Sequence, residues 1–224
     1  MVRKSNSRLQ TPKTATPRAR RRDRQRDAIL RAAARLFRER GFADTGMRDI
    51  AEAADLSAAN LYHYFDGKPH LLYYCQDRAL DRMLAAVESA RQAGLSTTER
   101  LRLVLENHLQ TLLDEVEGAT AHLQIDSLPP ALRDSIVKKR DRYERALRQL
   151  ITDGIASGEL VDSDPAIITR AMLGAMNWTV TWFRPDGTDS AVEVGEVISR
   201  FLVRGVAMRT PAVKHTLSAV ARRP

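Results

Sequence analysis

A single cysteine, Cys75, excludes a disulfide within the chain, and no cysteine–histidine spacing resembles a zinc site. The five histidines, His63, His70, His108, His122 and His215, form no HExxH or closely spaced pair, so no metal and no cofactor is expected. Cys75 has only scattered histidines for company and no partner motif, which argues against an enzyme. No apolar run approaches about 18 residues, so no membrane span is expected. The N-terminus is basic but lacks an apolar stretch behind it, so a signal peptide is not expected either and a soluble, cytoplasmic protein is. Aromatic residues make up only 5% of the chain, so each large ring is worth locating. Few glycines and prolines beside 43% hydrophobic residues fit a packed, mostly helical protein, and 224 residues allow one large domain or two small ones.

What the chain has in excess is positive charge, and that excess sits in one place. Residues 1–26 hold ten Lys and Arg against one acid, Asp23, a net +9, whereas the whole chain carries +8. The body is therefore about neutral. Basic N-terminal arms hold phosphates or enter a minor groove, the alternative being a solvated tail. Residues 1–22 are read as a disordered arm that contacts DNA.

Apolar spacing beyond the arm is helical. Ile29, Ala32, Ala33, Leu36 and Phe37 form one stripe, closed by Gly41; Thr16-Pro17 can start this helix as early as residue 17. Thr45 is expected to cap a short second helix burying Met47, Ile50 and Ala51, and Ser57 a third, 58–65. A long fourth helix starts near Lys68-Pro69 and ends near Gly94. Helices follow from Thr97 or Thr98 to about Gly118, from about 131 to 157, from Asp164-Pro165 to about Phe183, and from about 190 to 208, with no strand. Arg184-Pro185-Asp186-Gly187 is turn chemistry, and the tail from 210 should fray.

The second and third helices make a helix-turn-helix. Ile50, Ala51, Ala54, Leu56, Leu61 and Phe65 lock it, leaving Ala58, Ala59, Asn60, Tyr62, His63 and Tyr64 for a major groove, with Ser57 at the helix start. Ala58 and Ala59 allow close approach to thymine methyls, and the flat, tipped rings reach bases or phosphates. Lys68 suits a phosphate at the start of the fourth helix, and Arg48 suits the backbone on the far side. A single tyrosine here could equally pack the fourth helix; the whole array with Lys68 and Arg48 points to duplex DNA.

Ile29-x-x-Ala32-Ala33-x-x-Leu36-Phe37-x-x-x-Gly41-Phe42, then Arg48-Asp49-Ile50-Ala51, then Leu61-Tyr62-x-Tyr64-Phe65-x-x-Lys68 resembles the DNA-binding domain of the TetR family of bacterial transcription regulators. The resemblance implies DNA contacts by Tyr62, His63, Tyr64 and Lys68. Two positions depart from the family pattern. Asp55 stands where a turn glycine is usual, and aspartate tolerates the left-handed conformation. Gly46 replaces a frequent phosphate-binding threonine, which shifts backbone contact onto Arg48 and the arm.

Further on, Gly174-x-x-Asn177-Trp178-x-x-x-Trp182-Phe183-Arg184-Pro185-x-Gly187, together with Leu128-Pro129 and Arg140-Asp141-Arg142-Tyr143-Glu144, resembles regulators of fatty-acid and sterol catabolism that respond to acyl-CoA thioesters. That implies an effector site at Asn177, Trp178, Trp182, Phe183 and Arg184, an apolar channel with a cationic mouth. The tryptophans, four apart on one helix face, are open to a second reading as core or dimer-seam rings. His108, His122 and Gln124 could face the pocket or be satisfied core groups. The last helix offers Val194, Ile198, Phe201, Leu202 and Gly205 as a dimer seam, so a homodimer on a palindromic operator is expected.

The resulting expectation is an all-α regulator in four parts: the arm 1–22, a helix-turn-helix domain 23–70, a helical effector and dimerisation domain 71–209, and a flexible tail 210–224. It should be a repressor released by a small hydrophobic effector of acyl-CoA type, through a shift of the fourth helix that changes the spacing of the reading helices. The alternatives are a TetR-like regulator answering a drug-like or other hydrophobic compound, or one acting without ligand. A non-specific architectural DNA binder would not need the tryptophan-bearing half.

Overall fold

The computed structural model describes residues 16–113 and 125–208, apart from the side chain of Arg38. Expectations for residues 1–15, for His122 and Gln124 and for the tail from 210 lie outside the described residues. Among the described residues the architecture is all-helical: α1 (Pro17–Arg40), α2 (Met47–Ala53), α3 (Ala58–Tyr62), α4 (Lys68–Gln92), α5 (Thr97–Leu113), a 3-10 turn (Ile125–Ser127), α6 (Pro130–Ala156), α7 (Pro165–Trp182) and α8 (Ala191–Val206).

Helix starts follow side-chain chemistry. Thr16 accepts the Ala19 N–H at 3.3 Å, with Pro17 in the first helical position. Residues 17–22 are consequently helical, a correction to the disordered arm: the cap and a run of good helix formers extend α1 back from its buried stripe. Asp164 caps α7 by accepting from Ala166 and Ile167. Ser190 and Glu193 cap α8 reciprocally. The same exchange between Ser96 and Glu99 starts α5, so the cap is Ser96 rather than Thr97 or Thr98. Thr45 does not cap α2. Its hydroxyl donates to Gly41 O at 2.8 Å and to Leu36 O at 3.3 Å, at the end of α1. Gly46 takes the cap position, its N–H donating to Asp49 Oδ2 at 2.7 Å.

The chain divides into two compact units. The first holds α1 to α3 and α4 as far as Gln76, with residues 125–133. Its boundary lies beyond residue 70 because Leu71, Leu72 and Cys75 are buried. α1 packs on α2, and α2 on α3, around Ile29, Leu30, Ala33, Leu36, Ile50 and Leu61. Phe65 meets Tyr74 edge-on at 5.5 Å, and the Arg26 guanidinium lies 5.1 Å from the centroid of the Tyr74 ring.

The second unit is organised around α5, whose Leu101, Val104, Leu105, His108, Leu109 and Leu112 are buried. α8 and α7 both pack on it. Gly154 of α6 is there for space: a Cβ would stand 2.6 Å from Leu160 Cδ1 and 2.8 Å from Thr97 Cγ2. Gly158 turns the chain at φ 73°. Glu159 then reaches back to α5, accepting from the Thr97 N–H at 2.7 Å and hydroxyl at 2.8 Å. Those hydrogen bonds, the side-chain one foremost, hold its carboxyl below the usual range. Leu160 pairs with Ala207, tying this turn to the end of α8.

Candidate nucleic-acid interface

The turn between α2 and α3 depends on Asp55, whose φ of 53° is the one positive value at a non-glycine residue among those described. Leu56 N–H returns to Ala51 O at 2.9 Å and closes the turn. Ser57 then caps α3, accepting the Asn60 N–H at 3.2 Å. Leu61 and Phe65 face the core. On the other side Ser57, Ala59, Asn60 and His63 are exposed, Ala58 and Tyr64 are half-buried, and Tyr62 is 51% exposed. A phenol that open on a five-residue helix has no core to serve, and Arg48 on α2 is exposed as well.

Lys68 is placed differently from a simple phosphate ligand. Its ammonium donates to Phe42 O at 2.7 Å and Ala43 O at 3.1 Å, and lies 4.8 Å from the Phe42 ring centroid. Two of its three donors thus hold the α1–α2 loop against the start of α4. A phosphate would take the third. Lys68→Gln should therefore loosen the reading head more than it removes charge. The expected result is operator affinity about tenfold lower and a lower melting temperature. The slope of log affinity against log salt should change by less than the roughly 0.9 of one lost phosphate contact. A full loss of that slope with unchanged melting would assign Lys68 to phosphate binding alone.

Helix phase separates the residues expected to form one effector site. Neighbours on a helix point about 100° apart. Asn177 turns inward, its Oδ1 3.2 Å from His108 Nε2. Trp178 and Trp182 turn outward, 66% and 47% exposed, along with Ile167 at 61%. Phe183 is half-buried and Arg184 exposed. The same phase divides the expected dimer residues of α8: Val194 is buried toward the protomer's own core, Ile198 and Leu202 are half-buried, and Gly205 and Phe201 are exposed, Phe201 by 75%.

Two further features stand out, the first of them one of the two readings that the sequence left open. His108 is a core histidine: Nδ1 lies 3.1 Å from the Tyr143 hydroxyl, and the stacked rings are 5.5 Å apart. An amide oxygen only accepts, so Nε2 carries the ring proton and Nδ1 accepts from Tyr143. Burial raises the Tyr143 phenol far above its ordinary value, keeping it a donor. In the sequence Tyr143 stands within Arg140-Asp141-Arg142-Tyr143-Glu144, part of the resemblance to acyl-CoA-responsive regulators, with nothing to pair it with His108. The second feature is a cleft of about 520 Å³ on α4 and α5, lined by Arg82, Ala85, Ala86, Ser89, Ala90, Ala93, Leu103 and Asn107. Small residues gave no signal of it.

Among the described residues no group of three or more His, Cys, Asp or Glu could hold a metal ion, and no helix is long and apolar enough to cross a membrane. Two family models match the chain: the bacterial regulatory proteins of the tetR family over residues 29–75, and the tetracyclin repressor-like C-terminal domain over residues 94–206. The chain belongs to the TetR family. It is a DNA-binding transcription regulator and not an enzyme.

The TetR-family regulator PfmR from Thermus thermophilus is 37% identical, with a TM-score of 0.71 over 79% of this chain and 97% of that one. The HTH-type transcriptional repressor KstR2 of Mycolicibacterium smegmatis is 25% identical over 192 residues, 81% of this chain and 90% of the relative. AibR, solved in complex with isovaleryl coenzyme A and operator DNA, is 26% identical with a TM-score of 0.64, over 82% of this chain and 98% of that chain. The helix-turn-helix of α2 and α3 lies within the segment that the first family model matches.

Proposed function

We infer that this TetR-family regulator is a homodimeric repressor, released from a palindromic operator by an acyl-CoA-type effector. The observation that carries the effector class is the lining of the α4–α5 cleft. Among the described residues its lining combines small apolar side chains with Arg82 and includes no carboxylate. A hydrophobic cation would call for buried acids, whereas an acyl chain on a phosphorylated carrier suits alanines, Leu103 and an arginine. AibR, solved with isovaleryl coenzyme A and operator DNA, supports the effector class, and KstR2, a transcriptional repressor, supports repression.

The dimer rests on the outward faces of α7 and α8. Ile167, Trp178, Trp182 and Phe201 are large apolar groups in water, and such groups mark association surfaces. This reading reassigns Trp178 and Trp182 from the effector to the seam.

Coupling is carried by α4, an unbroken helix that begins in the first unit and continues into the second. In the second unit Lys139 of α6 holds α4 through Asp77 at 2.6 Å and Asp81 at 2.7 Å. Burial opposes the Lys139 charge, but hydrogen bonds and charges from both aspartates outweigh it and raise its pKa. An effector binding on α4 and α5 biases the helix that leads to the reading head. It needs to favour the non-DNA arrangement by only a few kcal/mol.

The test starts from an operator selected out of random duplexes. Isovaleryl-CoA and longer acyl-CoA thioesters should each lower operator affinity at least tenfold at saturation, and free coenzyme A or a hydrophobic cation should not. Unchanged affinity across the thioester series would overturn the effector assignment, and activity of the cation alone would favour a drug-responsive regulator.

A further inference from the structure

The first two turns of α1 serve no core. Residues 17–24 are exposed except for half-buried Ala19, and the first buried residue of the helix is Ile29. Twelve residues separate Pro17 from Ile29, about 18 Å of helix at 1.5 Å per residue. Five arginines, Arg18, Arg20, Arg21, Arg22 and Arg24, fall within seven positions, with Asp23 as the sole acid among them. A free helix of this length would be marginal in water. Here it is capped by Thr16 and continuous with the half of α1 whose Ile29, Leu30, Ala33, Leu36 and Phe37 are anchored.

We propose that residues 17–24 form a rigid basic prong that binds the phosphate backbone of duplex DNA outside the half-site read by α3. This rests on the DNA-reading role of α2 and α3 and extends the protein's footprint beyond it. Charge complementarity selects the partner. Residues 27–75 carry six basic and seven acidic side chains, so the reading head has little attraction of its own for phosphate. Arginine forks match phosphate oxygens in pairs. A bilayer is the poorer partner, because the prong has no apolar face beyond Ala19 and Pro17. The eight residues of the prong span about 12 Å at 1.5 Å per residue, roughly three to four base pairs at 3.4 Å each, against about 7.5 Å for the five-residue α3. Rigidity matters because a preformed helix does not lose chain entropy on binding, as a loose tail does.

The decisive pair of variants is Asp23→Pro and Asp23→Ala, in the full-length protein. Both raise the net charge by one. Only proline breaks the helix, by removing an N–H, clashing with the preceding turn and forcing residue 22 out of the helical region. Affinity is measured on the selected operator in two lengths, one cut to the palindrome and one with about ten more base pairs on each side.

On the long duplex, Asp23→Ala should bind at least as tightly as the unaltered protein and Asp23→Pro about tenfold more weakly than Asp23→Ala. On the short duplex the two should agree. Thermal melting checks that the buried part of α1 is intact. If Asp23→Pro melts early, the helix-compatible set Arg18→Gln, Arg21→Gln, Arg22→Gln and Arg24→Gln replaces it, with the same loss expected on the long duplex only. Equal binding by proline and alanine variants on both duplexes overturns the rigid prong, and an equal loss on both overturns its flanking position. Failure of the unaltered protein to bind any selected duplex would instead overturn the DNA reading beneath it.

Discussion

Phe201→Arg should convert the protein to a monomer and cost roughly 10²–10⁴ in operator affinity, the gain that linking two binding modules normally confers. Phe201 is 75% exposed in the protomer, so an arginine there meets water and leaves the fold intact. In a two-fold dimer the same change appears twice in one seam and buries two cations without partners. Sedimentation at working concentration reads the oligomer, and operator binding reads the consequence. A dimer that persists would move the seam off the outward face of α8.

Trp178→Ala separates the two roles open to that ring. As a seam residue it should weaken the dimer, by the roughly 2–4 kcal/mol typical of a truncated aromatic hot spot, and leave the acyl-CoA response of the remaining dimer unchanged. As an effector residue it would do the reverse.

Deleting residues 1–22 should lower DNA affinity at every sequence by about 10²–10³-fold at physiological salt while preserving the preference for the operator. The deletion removes eight basic residues and no acid. Each neutralised phosphate contributes about 0.9 to the slope of log affinity against log salt. Engagement of four of the eight therefore predicts a slope shallower by about 3.6 per protomer. Operator preference survives because Ala59, Asn60, Tyr62 and His63 belong to or adjoin α3, whose lock through Ile50, Ala51 and Leu61 is untouched. An unchanged slope would refute this division of labour. The deletion removes charge and geometry together, whereas the Asp23 pair alters geometry at fixed charge.

The sequence by itself determined the fold class, the family and the place of nearly every described helix. Those properties rest on local chemistry: Ile29 to Phe37 repeat at helical spacing, Asp164 and Ser190 carry their capping oxygens, and Asp55 tolerates the left-handed turn. The excess charge of residues 1–26 was also legible, being a count. Its shape was only half legible: Thr16-Pro17 allowed a helix from residue 17, yet a string of arginines suits a coil or a helix until the cap and a buried continuation decide.

Only the tertiary structure decided what each side chain faces. Asn177 and Trp178 look like one motif in the sequence, and helix phase sends one to His108 and the other to solvent. Lys68 looks like a phosphate ligand, and the approach of the α1–α2 loop gives it the carbonyls of Phe42 and Ala43. His108 was one of several scattered histidines until α5, α6 and α7 brought Tyr143 and Asn177 to its two nitrogens. These contacts join residues 25 to 69 positions apart in the chain. Pairings of that range are set by how helices pack, and periodicity along one helix carries no information about its neighbour.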